Sequence, residues 1–441
     1  MNELIIIGGG LAGCEAAWQS ARRGVQVVLY EMRPLKMTEA HKTPGLAELV
    51  CSNSLRSREL STGPGLLKKE LEMAGSLIME AAKSSEVAAG SAYAVDRELF
   101  SSYITRAVEE HPLIRVVREE VSSLPEGIAI VATGPLTSPA MTDTIKALIG
   151  GEHLYFYDAI APIVDAESID YGKAFFASRY GKGGDDYVNC PMTVQEYDRF
   201  YDALVEADTV HAKEFEDIKV FEGCMPVEVM AQRGRDTLRF GPLKPVGLDD
   251  PATGKRPHAV VQLRSENREK TAYNMVGFQT RLRWPGQKKV FTLIPGLEKA
   301  EFLRYGSIHR NTYMNSPRRL NKDLSLKDKD TLYMAGQITG VEGYIESTAM
   351  GLIAGINAAR RIEGKDFEIP PRASAHGSLI AHITGSLPED FQPSNINFGL
   401  LPAGTSSPII RDKKKRREQA AERALQAWAG YVERTGPDRA V

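Results

Sequence analysis

Cys14, Cys51, Cys190 and Cys224 are the residues of this 441-residue chain best suited to act as nucleophiles. The thiolate is the reactive form. An unperturbed thiol, with a pKa of about 8.5, is only about a few per cent ionised at neutral pH, so a useful site must shift it. Cys51 follows a short apolar run and opens Cys51-Ser52-Asn53-Ser54, a potential helix N-terminus that would lower a thiol pKa. Cys224 stands mid-chain in Glu222-Gly223-Cys224-Met225-Pro226. Free cysteine is also among the most buried residue types, and from the residues alone burial accounts for all four. No pair has C-x-x-C spacing. That argues against a structural zinc site or a disulfide framework and favours a reducing compartment. No metal centre is expected.

The second chemical signal is a glycine turn. Leu4-Ile5-Ile6-Ile7 reads as a buried strand, and Gly8, Gly10 and Gly13 fit G-x-G-x-x-G. The first glycine permits the turn, the second lets backbone approach a pyrophosphate, and the third lets helix pack on strand. The N–H groups of Gly8, Gly9, Gly10, Leu11 and Ala12 and the positive helix end would face an anion. Cys14 to Arg23 continues the helix to Gly24, Val25 to Tyr30 is a second strand, and Glu31 ends it about where an acid should meet a ribose hydroxyl. An ordinary strand–turn–helix needs such glycines too.

These groups need a scaffold. Leu66 to Ser84 has helical apolar spacing, and Asp96 is a candidate N-cap for a helix to Glu109. Ile114 to Val117 and Ile128 to Val131 are short strands. The latter runs into Ala132-Thr133-Gly134, a strand end that would return to the cofactor crevice and bring Thr133 and Gly134 to it. From about residue 181 to 318 the rhythm breaks into short strands, one helical stretch over Val194 to Val205, and Gly/Pro turns. Thr331 to Gln337 then resumes a strand. A loop over Ile338 to Tyr344 and an apolar, small-residue helix to Ile362 follow, a second place to hold phosphate or ribityl groups. Gly336, Gln337, Gly343 and Tyr344 are its candidate contacts, with the Gln337 amide toward the ribityl chain. Glycine turn, Glu31, Ala-Thr-Gly and this loop, in that order, favour FAD over NAD. No second G-x-G-x-x-G appears, so a nicotinamide cofactor would visit without a Rossmann domain of its own.

The expected fold is α/β: a Rossmann-like FAD-binding domain, a parallel sheet with flanking helices, interrupted by a smaller α+β insertion. The boundaries read as 1–180, 181–318 and 319–441. A formal net charge of −2 gives no global sign of nucleic acid. No apolar run approaches a membrane span and no signal peptide is evident, so a cytoplasmic, membrane-free protein is expected. The sequence leaves oligomeric state open.

Gly336 to Tyr344, with Met350 to Ala359, resembles FAD proteins that modify tRNA uridines. Glu48 to Ser54, Phe221 to Pro226, and Asn397 to Pro402 narrow the resemblance to the TrmFO family, folate- and FAD-dependent tRNA (uracil-5-)-methyltransferases. The resemblance covers essentially the whole chain. It implies transfer of a one-carbon unit from 5,10-methylenetetrahydrofolate to C5 of the T-loop uridine, tRNA position 54. Reducing equivalents would come from NADH or NADPH through FAD. It also implies two functional cysteines: Cys224 as the thiol that attacks C6, and Cys51 as proton-transfer partner, with swapped roles left open.

A tRNA substrate demands a phosphate-contacting surface. Arg264, Arg281, Arg283 and Trp284 belong to one basic segment with interleaved aromatics. His309, Arg310, Arg318 and Arg319 belong to a second, which also includes Arg304. Lys413 and Lys414 lie in the densest basic run, before a helix with Ala421, Ala424, Leu425, Trp428 and Val432 on one face. Each is also explained by a solvated charged face. Three other functions stand beside this one: a flavin oxidoreductase on a small molecule, another FAD-dependent tRNA uridine modification, and a non-catalytic, FAD-gated RNA-binding protein.

Overall fold

Strand β1 (Leu4–Ile7) is apolar on both faces, as a strand covered on both sides requires. The computed structural model describes residues 3–149, 153–210, 225–403 and 412–437, with backbone only for 153–158, 309, 310 and 312. Strand β1 is the middle of a five-stranded sheet with β2 (Val27–Glu31), β3 (Ile114–Arg118), β4 (Ala129–Val131) and β5 (Leu332–Met334). The order is β5-β4-β1-β2-β3, and every neighbouring pair is parallel. The chain leaves β1 toward β2 on one side and reaches β4 on the other. The crevice therefore opens at the carboxyl end of β1.

Helix α1 (Leu11–Ala21) packs along α2 (Tyr344–Ile362), in the same direction. Glycine makes the approach possible. A Cβ on Gly351 would lie 2.7 Å from Ala12 Cα, and one on Gly355 would lie 2.6 Å from the Ala16 carbonyl oxygen. Ser20 Oγ donates to the Gly355 carbonyl at 3.0 Å. Both helix N-termini consequently face the crevice.

The helical spacing over Leu66 to Ser84 proves to be two helices, Gly63–Met73 and Leu77–Ser84. Gly75, at φ +68°, turns the chain between them, and Ser76 caps the second. Asp96 caps Arg97–Glu109 as expected, accepting the N–H groups of Glu98 and Leu99 at 3.0 Å each.

A second hydrophobic core, including Val164, Phe200, Phe278 and Phe291, marks the inserted unit. It lies under a six-stranded antiparallel sheet: Phe175–Phe176, Tyr187–Met192, Ala259–Ser265, Ala272–Met275, Ile163–Asp165 and Phe302–Arg304, in that spatial order. Two of these strands precede residue 181. A ribbon of His153–Ala159 against Ile308–Met314 carries the chain in and out. Helix Val194–Glu206 packs on the sheet and begins with a Thr193/Glu196 capping box.

The C-terminal helix α3 (Lys413–Thr435) buries Ala421, Ala424, Trp428 and Tyr431. Trp428 Nε1 donates to the Glu70 carbonyl at 2.7 Å, and its ring stacks on His376 at 4.1 Å. Tyr431 takes the fully buried position expected of Val432. No helix among the described residues is long and apolar enough to cross a membrane.

Candidate active site

The glycine turn has the form its spacing predicts. Gly8 sits at φ +107°, and a Cβ there would lie 2.5 Å from the Ala132 carbonyl oxygen. A Cβ on Gly13 would overlap the Gly8 carbonyl, whereas one on Gly10 would meet nothing within 4 Å. That open space lies at the N-terminus of α1, in a cleft lined by Gly8, Gly9, Gly10, Glu31 and Thr133. The residues fit the phosphate-bearing half of FAD. Leu11 and Ala12 are buried first residues of the helix.

Two residues here do more structural work than expected. The Gly9 N–H is spent on Glu31 Oε2 at 3.0 Å, so it braces the turn instead of facing an anion. Glu31 also accepts three donors of Arg33, its backbone N–H, Nε and Nη2, at 2.9 to 3.1 Å. Those four bonds match about the four acceptor positions of a carboxylate. Burial alone would raise the Glu31 pKa. The Arg33 guanidinium and the two backbone N–H groups outweigh it and hold the carboxyl below its ordinary range.

The second loop forms a separate pocket at the start of α2. Gly336 and Gly343 take φ of +83° and +120°. The pocket is lined by Cys51, Pro135, Gln337, Gly343, Tyr344 and Glu346, among others. Gln337 Nε2 donates to Glu342 Oε2 at 2.7 Å, which fixes the amide beside the pocket. Gly134, at φ +67°, follows Thr133, whose Oγ1 is 2.6 Å from that of Thr137. An apolar wall with a few placed polar groups suits a flat ring such as isoalloxazine.

Cys51 faces this pocket, but not from a helix. Residues Ser54–Ser57 form a strand, because Asn53 is drawn inward to bond the carbonyls of Val95 and Ser265 at 3.0 and 2.9 Å. No helix N-terminus therefore stands at Cys51, and two arginines hold its loop instead. Arg97 donates to the carbonyls of Leu49 and Cys51, and Arg304 to those of Val50 and Cys51, at 3.1 and 3.0 Å. Tyr344 Oη accepts the Cys51 and Ser52 N–H groups. Cys14 and Cys190 are fully buried, and burial pushes both thiols up, Cys190 to about 12. Cys224 lies outside the described residues.

The basic segments divide. Arg264 is 6% exposed and donates to Asn53 Oδ1 and Ser52 Oγ, at 2.8 Å each. It holds the Cys51 loop and is not on a phosphate-contacting surface. Arg304 is likewise spent inward. Arg281 is half-buried against Glu228 at 3.6 Å. Arg318 and Arg319 reach Glu389 and Asp328, at 3.3 and 3.4 Å. Side chains of His309 and Arg310 lie outside the described residues. Arg283 and Trp284 are exposed, with Trp284 at 63%. Trp284 stacks on Tyr305 at 5.6 Å, and Tyr305 on Phe302 at 5.2 Å, so the two segments meet in an aromatic stack. Lys413 and Lys414 are exposed in the first turn of α3, behind the N-cap Asp412.

A family model described as GIDA, glucose inhibited division protein A, matches residues 3–366. A methylenetetrahydrofolate--tRNA-(uracil-5-)-methyltransferase TrmFO of Geobacter sulfurreducens is 60% identical over 422 residues, covering 95% of this chain and 96% of that protein. The chain belongs to the TrmFO family. The TrmFO of Moorella thermoacetica is 58% identical over 439 residues, 99% of each chain. Among solved structures, two crystal forms of Aquifex aeolicus GidA superpose with TM-scores of 0.68 and 0.69. They cover 98% and 97% of this chain and 73% and 76% of theirs, at 16% and 17% identity, a likeness of fold. The sequence alone does not single out Arg97, which holds the Cys51 loop, or Arg56 and Glu346, which line its pocket. Arg97 directly follows the correctly read cap Asp96, but nothing in the sequence says that its side chain turns back to the Cys51 loop.

Proposed function

We propose that this chain methylates C5 of the T-loop uridine of tRNA, taking the carbon from 5,10-methylenetetrahydrofolate and reducing equivalents from NADH or NADPH through FAD, in the cytoplasm. The observation that carries the reading is the placement of Cys51 in one pocket with Gln337, Gly343 and Tyr344. A thiol stands where a flavin ring and a base could meet.

C5 of uracil is a poor nucleophile. Addition of a thiolate at C6 makes C5 enolate-like, and loss of the C5 proton later releases the enzyme. Cys224 is assigned the attack and Cys51 the proton transfer. Arg97 and Arg304 hold Cys51 by its backbone, leaving its side chain toward the pocket. Bound FAD supplies the reducing equivalents that turn a methylene into a methyl group. The glycine turn and the start of α2 would hold its two halves.

The Trp284–Tyr305 stack beside Arg283 supports an RNA partner, since a base stacks on an aromatic face while cations meet phosphate. Exposed Lys413 and Lys414 sit at the positive end of the α3 dipole, where cations are disfavoured. Phosphate contact gives that placement a use.

The test is single-turnover transfer under low oxygen. FAD-loaded protein, an unmodified tRNA transcript, NAD(P)H and methylene-labelled folate should give labelled 5-methyluridine. Reducible flavin with no label in tRNA would overturn the reading.

A further inference from the structure

One buried carboxylate oxygen in the Cys51 pocket has no partner. Glu346, in the first turn of α2, is fully buried. Its Oε1 accepts the Ile396 N–H at 3.1 Å and lies 3.5 Å from Arg56 Nη1. Its Oε2 makes no hydrogen bond. Such an oxygen costs about 1–3 kcal/mol, more when charged, unless something donates to it. Burial, against the pull of Arg56 and Lys68, pushes the carboxyl above its ordinary range.

Arg56 is brought to the same place by a strained backbone. It has φ +64°, and the pairing register of its strand shifts between Ser54 and Ser57. Such a bulge re-aims a side chain. Two bonds hold it: Ser54 Oγ accepts the Arg56 N–H at 3.1 Å, and Lys68 Nζ donates to the Leu55 carbonyl at 2.7 Å. Gly343 completes the arrangement. A Cβ there would run into Glu346 Oε2 and lie 3.4 Å from Arg56 Nη2. Over that bare Cα an acceptor and a donor stand side by side, and both residues line the pocket.

We propose that Glu346 Oε2 and Arg56 together bind the N3–H/C4=O edge of a pyrimidinone ring, Glu346 accepting the N–H and Arg56 donating to the carbonyl. The inference rests on the function proposed above, which brings three such rings to this pocket: isoalloxazine, pterin and uracil. A carboxylate alone would suit a ring edge of donors only. The pair suits the mixed edge that the three share.

Glu346→Gln, whose single amide oxygen stays with the Ile396 N–H and whose NH2 then faces the ring N–H, and Arg56→Met test it with three binding measurements on purified protein. FAD is titrated into apoprotein. Tetrahydrofolate is titrated into FAD-loaded protein by flavin absorbance, and a T-arm minihelix by fluorescence anisotropy. One lost bond of this kind corresponds to about tenfold in Kd. The expected result is about a tenfold loss in one arm, with the other two within about twofold, and that arm names the ring. Any other pattern, whether no arm moves or all move together, overturns the proposal. If Glu346→Gln does not fold, Arg56→Met decides, since Arg56 is partly exposed. Failure of the wild type to bind tetrahydrofolate would instead fail the functional reading itself.

Discussion

Tyr344 Oη accepts the backbone N–H groups of Cys51 at 2.8 Å and Ser52 at 3.2 Å. The first residue of α2 thereby fixes the position of the pocket thiol. Burial, and after it the neighbouring Cys51, push the phenol well above its ordinary range, so it stays a neutral hydroxyl. Tyr344→Phe removes the acceptor and leaves two N–H groups unpaired, at about 1–3 kcal/mol each when buried. The strain falls on the Cys51 loop. Alkylation of Cys51 by iodoacetamide should speed up several-fold while FAD content is retained, and methyl transfer should fall. Mass spectrometry of the modified peptide reads the rate. Unchanged alkylation kinetics would show that Arg97 and Arg304 hold the loop without the tyrosine.

The two cysteines predict different fates for a covalent complex. A tRNA carrying 5-fluorouracil traps the enzyme after thiolate addition, because fluorine at C5 cannot leave as a proton does. Wild type and Cys51→Ser should form the adduct, and Cys224→Ser should not, as read by a gel shift that survives denaturation. An adduct in Cys224→Ser and none in Cys51→Ser would exchange the assigned roles. Methyl transfer should be lost in both variants.

Arg264 and Trp284, twenty residues apart in one basic segment, should behave in opposite ways. Arg264 is buried and braces Asn53 and Ser52. Arg264→Ala therefore costs stability, about 1–3 kcal/mol for each buried acceptor left unpaired, and lowers the midpoint of unfolding. Trp284→Ala leaves stability within about 0.5 kcal/mol. It weakens tRNA binding by about 1–3 kcal/mol, the worth of one stacked base, with the salt dependence unchanged. The Lys413→Ala/Lys414→Ala pair should instead flatten the salt dependence. Binding isotherms at several salt concentrations separate the three.

What was legible in the sequence was local. Gly8, Gly10 and Gly13 specify a turn by their conformational needs alone, and Asp96 and Thr193 specify helix starts. The apolar period likewise gave α2 and its small-residue face. What was not legible was the far end of each long side chain. Arg264, Arg283 and Arg304 look alike in a row of basic residues, yet two are spent on the Cys51 loop and one meets solvent. That difference is made by the packing of the inserted sheet against the first domain, which brings Arg264 to Asn53. Cys-Ser-Asn-Ser likewise reads as a helix start until Val95 and Ser265 claim the Asn53 amide. Gly75 broke the helix predicted over Leu66 to Ser84 for a reason that periodicity cannot register.

Glu15 offers a pH signature of the fold itself. It is fully buried in α1, where Oε2 accepts Ser76 Oγ at 2.7 Å and the Ile78 N–H at 3.2 Å, and Oε1 accepts Gln19 Nε2 at 2.9 Å. Burial outweighs these bonds and raises the carboxyl to about 7, from 4.5. Between those values the folded chain holds a proton that the unfolded chain has released. Stability then falls as pH rises through the window, by up to about 1.4 kcal/mol per unit. Below it both states are protonated and the penalty is absent; above it both are ionised and the penalty is complete. Glu15→Gln keeps an acceptor for Ser76 and cannot ionise. Its unfolding free energy should match wild type near pH 4.5 and exceed it at pH 8 by up to about 3 kcal/mol. The depressed Lys68, at about 7, has the opposite sign above pH 7, and it cancels in the difference between the two proteins. Denaturant melts at pH 5, 6, 7 and 8 give the curve. A constant offset across that range would mean that Glu15 is ionised throughout, with the Ser76, Ile78 and Gln19 bonds outweighing its burial.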